Sequence, residues 1–203
     1  NKYKIVEHYT SNIYKTVDYS YINDVKYKSR YVDYIKKGVK IISPNMDNFD
    51  SILSDLYHLL TSLYNDFPIY KDISKEDFIT IFSSYKKIIN PSMIKLAYYK
   101  KKLIGFFISV PNYNNKIYNL TLPNILKILC TKNKPKEYVM LYMGADQEYK
   151  GLGSSLVYSI INELKESNLP SIGALARDGK VSQNYANDLI DNIYEYVLLE
   201  REL

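Results

Sequence analysis

The chain has 203 residues, 46% of them apolar and 24% charged, with 27 Lys and Arg against 22 Asp and Glu. That length and balance suit one large domain or one domain with an appendage, exclude an intrinsically disordered chain, and leave a net charge of +5 that favours anionic ligands only weakly. One cysteine, Cys130, excludes an internal disulfide and a thiolate-based metal framework, and two distant histidines, His8 and His58, argue against a histidine-rich one, so no metal is expected.

The basic residues come as short lysine pieces and not as a long block, so no nucleic-acid patch is read from them. The longest apolar run, Leu103 to Val110, is far too short to cross a bilayer. The single cysteine suits a reducing cytoplasmic setting, which is expected here without membrane or nucleic-acid partners. The 23 tyrosines and absent tryptophan, beside abundant Ile, Asn and Lys, read as AT-biased coding.

Residues 1–36 are Tyr-rich and charged, with loose helical periodicity, and are expected to form an irregular helical lead-in or the end of a preceding domain. Residues 37–203 are expected to hold the main domain. Gly38 to Pro44 reads as a short strand closed by proline. From Phe49 to Tyr64 apolar residues recur at three and four, which predicts an amphipathic helix started at Asp47 with Asp50 three residues on. Ser74 followed by Glu76 and Asp77 predicts a capped second helix that ends before Pro91. Ile94 to Tyr99 and Leu103 to Val110 then form a hairpin about three lysines, and Gly105 marks a bulge or a close backbone approach.

Pro123 to Cys130 predicts a short helix inside a polar segment, with proline in its first turn. Glu137 to Asp146 is a strand apolar on both faces, hence central. Two glycines, Gly151 and Gly153, lead into a helix over about 154–167 with Leu156, Val157, Ile160, Ile161 and Leu164 inward. Residues 170–177 predict a strand, Ser182 to Asp191 a short helix, and Ile193 onward a last strand.

This element order, with a Gly-x-Gly loop after the central strand, resembles the GCN5-related N-acetyltransferase superfamily. The likeness spans about residues 38–203 by element order and about a dozen residues by motif. A subgroup of bacterial acetyltransferase-like proteins is closer, through Gly105, Phe106, Pro111 and Asn112 on the hairpin and Leu122 and Pro123 at the inserted helix. The resemblance implies an α/β (α+β) fold with a mixed, mostly antiparallel sheet flanked by helices and splayed at the loop strand. It also implies acetyl-CoA as cosubstrate, direct acetyl transfer to a primary amine of a small molecule, and no metal; a homodimer is left open. Lys150, Gly151, Leu152, Gly153 and Ser154 would bind the pyrophosphate through backbone N–H groups at a helix start. Tyr142, Met143, Gly144 and Ala145 would hold the pantetheine and the acetyl carbonyl, and Asn184 would contact the pantetheine.

The sequence departs from the family pattern in two places. Glu148 stands where Arg or Gln is usual, with Tyr149 after it, which leaves Lys150 as the local positive charge. The tyrosine that protonates the leaving thiolate is replaced by Leu189 and Ile190, which leaves Tyr185 or Tyr194 to substitute. Glu137, or Glu76 or Asp77, could serve as general base, although each also reads as a strand-end charge or a cap. The alternative is a catalytically degenerate module of the same fold that binds acyl-CoA or another ligand.

Overall fold

The computed structural model describes residues 3–64 and 73–201. In chain order these form β1 (Tyr3–Tyr14), α1 (Val25–Lys36), β2 (Lys40–Ile42), α2 (Phe49–Tyr64), α3 (Lys75–Ser84), β3 (Ile94–Tyr99), β4 (Lys102–Pro111), α4 (Leu122–Asn133), β5 (Tyr138–Ala145), α5 (Leu152–Ser167), β6 (Ser171–Gly173), β7 (Ala176–Arg177) and β8 (Ile190–Arg201). The strands form one sheet in the order β2-β3-β4-β5-β6-β1-β7, with β8 on the other edge of β1. The pairings are antiparallel except between β5 and β6.

Each face of the sheet carries its own core. On one face α5 and α1 bury Leu152, Leu156, Ile160 and Tyr27 against Ala97, Ile104 and Phe107. On the other, α2 and α3 bury Leu53, Leu56, Leu60 and Phe78 against Leu96, Leu103 and Phe106. The bulge expected at Gly105 is present: Ala97 faces Gly105 while Tyr98 faces Leu103, so Ile104 is the extra residue. A β-carbon on Gly105 would lie 2.9 Å from Leu152 Cδ2, so the missing side chain is what seats α5 on the hairpin. The hairpin turns through Lys100 and Lys101, both at positive φ (47° and 69°), which matches strand twist as a type I′ turn does.

Three expectations need correction. Residues 3–14 form a strand and not a helical lead-in, and β1 belongs to the same sheet as the strands after residue 37. The alternating residues of "YTSNIY" carry that signal: Tyr9 and Ser11 are buried from one face, while Thr10, Asn12 and Tyr14 line a cavity on the other. Asn45 caps a 3-10 turn over Met46–Asn48 that precedes α2, its side chain accepting the Asp47 N–H at 3.0 Å, so Asp47 lies inside that turn and does not cap the helix. Residues 182–191 form no α-helix; two 3-10 turns are split by Ala186, held at φ 52° while its N–H donates to the Tyr27 hydroxyl at 2.8 Å. The Ser74 cap of α3 is as expected, with its hydroxyl accepting the Asp77 N–H at 3.0 Å.

Candidate active site at the splayed strand

Strand β5 pairs with β4 along its whole length but with β6 only over Tyr138–Met140. Leu141 is an extra residue in β5, since Ile108 faces Tyr142 and Ser109 faces Met140. A bulge of this kind raises local twist and turns the strand away from its neighbour. Past Met140 the two strands part, and the gap between Leu141–Met143 and Ala174–Ala176 opens a cavity of about 140 Å³. Helix α5 floors it with Val157, Ile160, Ile161 and Leu164, and β1 contributes Thr10, Asn12 and Tyr14. Tyr185, Ala186 and Leu189 close its side. Its charged lining residue is Lys15; no Asp, Glu or His among the described residues lines it.

The glycine loop ends β5 and starts α5. Gly151 is the N-cap at φ 90°, a conformation that a side chain would strain. Hydrogen bonds from Tyr149 N to Asp146 O, Leu152 N to Tyr149 O and Ser154 N to Gly151 O close the turn. Among the described residues nothing accepts the N–H groups of Lys150, Gly151 or Gly153. Three unengaged donors lie at the positive end of a 16-residue helix, a candidate cradle for an anion.

The charges around this cradle differ from the sequence expectation. Asp146 is turned away, with its carboxylate accepting the Glu148 N–H and pairing with Lys102 at 3.0 Å. That backbone hydrogen bond, and then Lys102, hold its pKa below the usual carboxylate range. Lys150 is not the only nearby cation. Arg30 of α1 lies beside Gly151, with Cδ and Nε both 3.6 Å from the point that a Gly151 β-carbon would occupy. Glu148 is exposed, and Lys150 anchors the loop through its carbonyl, which accepts the Tyr34 hydroxyl at 2.9 Å. Sequence could not place Arg30, because α1 packs on α5 only in three dimensions.

Among the residues expected from sequence, Tyr142 and Met143 line the cavity. Gly144 and Ala145 extend β5 beyond it, and a β-carbon on Gly144 would meet Leu63 and the Phe106 ring, so Gly144 serves the packing of α2. Leu152 is fully buried beneath Gly105. Tyr185 links cavity and cradle, since it lines the first while its hydroxyl lies 2.5 Å from where a Gly153 β-carbon would sit. Burial raises its pKa, with the Ser154 hydroxyl acting in the opposite sense, so the phenol is protonated at neutral pH.

Three expected residues fall elsewhere. Tyr194 pairs with Ser11, whose neighbours Thr10 and Asn12 line the cavity, so alternation points Tyr194 to the opposite face. Glu137 precedes β5 at the end remote from the loop and accepts the Asn112 side-chain N–H at 2.5 Å. Asn184 is exposed and outside the cavity lining. Glu76 and Asp77 lie in the first turn of α3, and exposed His58 contacts Lys75 at 3.2 Å. No group of acidic, His or Cys residues able to hold a metal occurs among the described residues, nor a helix long and apolar enough to cross a membrane.

No family model matches the chain, and no curated protein matches it in sequence. Among solved structures, a conserved protein of unknown function from Staphylococcus epidermidis is 14% identical, with a TM-score of 0.54 over 99% of this chain and 64% of that one. The C-terminal domain of a protein assigned as a lysylphosphatidylglycerol synthetase from Agrobacterium fabrum is 11% identical, with a TM-score of 0.51 over 87% of this chain and 49% of that one. An aminoglycoside acetyltransferase from an uncultured soil metagenomic sample, in complex with sisomicin, is 14% identical, with a TM-score of 0.44 over 76% of this chain and 86% of that one. At these identities the likeness is one of fold: the chain has the expected mixed, mostly antiparallel sheet flanked by helices and shares the fold of the Staphylococcus and Agrobacterium proteins. It spans less than two thirds of the Staphylococcus and Agrobacterium chains.

Proposed function

We propose that the domain is an acetyl-CoA-dependent N-acetyltransferase that acts on a primary amine of a small molecule by direct transfer. The observation that carries this reading is that Tyr185 both lines the cavity beside β5 and packs against Gly153 at the start of α5, where the N–H groups of Lys150, Gly151 and Gly153 are unengaged. A pyrophosphate suits this turn, because three unengaged N–H groups lie at a helix start and Arg30 and Lys150 supply charge that Glu148 does not. An extended acyl arm fits the gap, whose walls are chiefly aliphatic.

In this reading backbone N–H groups of β5 near Tyr142 and Met143 polarise the acetyl carbonyl, which stabilises the negative charge that grows on its oxygen as the amine attacks. Tyr185, kept protonated by burial, donates its proton to the departing thiolate. Thr10, Asn12 and Tyr14 present the polar groups that orient the acceptor. The cavity holds no carboxylate or imidazole among the described residues, so the amine would lose its proton to solvent.

That missing base also favours a second reading, a non-catalytic module that binds acyl-CoA. Calorimetric titration with acetyl-CoA, followed by measurement of free CoA release across an amine library, separates the two. Absence of binding at high micromolar concentration refutes both. Binding without release for any amine leaves the module and sinks the enzyme.

A further inference from the structure

The helix inserted between β4 and β5 is built the wrong way round for a helix of a globular surface. Of its residues, Ile128 is buried, at 4% exposure. Leu122, Ile125, Leu126 and Leu129 stand exposed, at 72%, 40%, 58% and 41%. Their spacing of i, i+3, i+4 and i+7 gathers them on one stripe of α4, turned away from the side that holds Ile128. Helix α4 rests chiefly on the 3-10 turn Asn114–Tyr118 before it, which also exposes Tyr118. The platform beneath is firm: Tyr113 is buried and its hydroxyl donates to the Ile88 carbonyl, while Asn124 donates to the Asn119 carbonyl at 2.8 Å. The apolar stripe is thus held outward by an ordered base.

The charge of the segment selects its partner. Between Asn112 and Lys136 there are five lysines, Lys116, Lys127, Lys132, Lys134 and Lys136, and no acidic residue. Without them the chain's 27 basic residues fall to 22 against 22 acidic, so the net charge of the whole chain resides here. Lys132 borders the apolar stripe, where its long side chain can reach past it to anionic groups, while Lys127 lies toward the opposite side of the helix. A second copy fits poorly, because a twofold contact through this stripe would bring both sets of lysines together.

We propose that α4 is a membrane-surface anchor that lays Leu122, Ile125, Leu126 and Leu129 into the headgroup boundary of an anionic lipid bilayer while the lysines pair with its phosphates. Aliphatic side chains on one stripe, surrounding charges that are all lysine and a tyrosine at the near end are the features of a helix that lies in an interface. The sequence expectation of no membrane partner rested on the lack of a spanning segment, and an interfacial helix needs none. The inference is independent of the acyl-transfer reading.

Co-sedimentation of the whole chain with vesicles tests it. Vesicles of equal parts phosphatidylglycerol and phosphatidylcholine should retain the protein, and phosphatidylcholine alone should bind it at least tenfold more weakly. The double change Leu126→Glu and Leu129→Glu should abolish retention without altering the melting temperature, because both residues are exposed. Lys132→Gln should weaken binding about fivefold, the equivalent of about 1 kcal/mol for one lysine near an anionic surface. The proposal is overturned if the anionic vesicles do not retain the chain, or if the double variant binds them as well as the parent. It is equally overturned if the parent is a dimer in solution and the double variant a monomer, which would make the stripe an interface between copies, or if the stripe binds an acidic protein and not lipid.

Discussion

Replacing Gly144 by alanine separates packing from ligand binding at the loop strand. Its φ is not positive, so the backbone accepts a side chain without strain. The added β-carbon would lie 2.5 Å from Leu63 Cδ1 and 3.0 Å from two atoms of the Phe106 ring. Leu63 can yield, because only a terminal methyl is struck, but Phe106 is fully buried and has nowhere to go. Overpacking of this kind costs about 1–3 kcal/mol, and the partial freedom of Leu63 places it in the lower half of that range. Loss of glycine's freedom in the unfolded chain returns about 0.4–1 kcal/mol. The net loss is therefore about 1 kcal/mol, which for a domain of this size lowers the melting temperature by roughly 2–4 °C. Thermal denaturation by circular dichroism reads that shift, and calorimetry with acetyl-CoA should show affinity within twofold of the parent. An unchanged or raised melting temperature would refute the packing argument, and a large loss of affinity with normal stability would return Gly144 to the ligand site.

Arg30→Glu should weaken acetyl-CoA binding at least fivefold at low salt while Arg30→Lys retains most of it, read by calorimetry; equal affinities for all three would remove Arg30 from the cradle. Tyr185→Phe should lower kcat at least tenfold with little change in acetyl-CoA affinity, measured by CoA release, and an unaltered kcat would exclude the phenol as proton donor. The folded-state pKa of Asp146 is depressed, so the stability it contributes is present above its unfolded pKa of about 3.9 and is lost as the pH falls through the lower folded value. Asp146→Asn should accordingly lower the melting temperature at neutral pH, and the difference from the parent should close below about pH 4; a constant difference across that range would show that the Lys102 and Glu148 N–H contacts are not the cause.

Much of the fold is legible in the chain because local chemistry decides it. The Ser74 cap, the hairpin across Lys100 and Lys101, the bulge at Gly105 and the strand, glycine turn and helix from Tyr138 to Ser167 all rest on contacts within a short span of sequence. Strand β1 escaped because its buried positions are defined by β6, β7 and β8, more than 150 residues away, and a tyrosine-rich run fits helix and strand periods alike. The helix expected at 182–191 failed for a similar reason, since Ala186 is held in a left-handed conformation with its N–H on Tyr27 of α1.

The sequence by itself determined the strand, glycine turn and helix around Gly151 and Gly153, because a strand apolar on both faces, a glycine-bearing turn and an amphipathic run are local patterns. Only the tertiary structure decided the electrostatics and the walls of the site. The packing of α1 on α5 brings Arg30 to Gly151, the parting of β5 from β6 opens the gap, and β1 carries Thr10, Asn12 and Tyr14 into it. It also decided the facing of α4, predicted only as a short helix, whose Leu122, Ile125, Leu126 and Leu129 stand outward in the fold. Periodicity shows that a helix has an apolar side, but which way that side faces is settled by what packs beneath it.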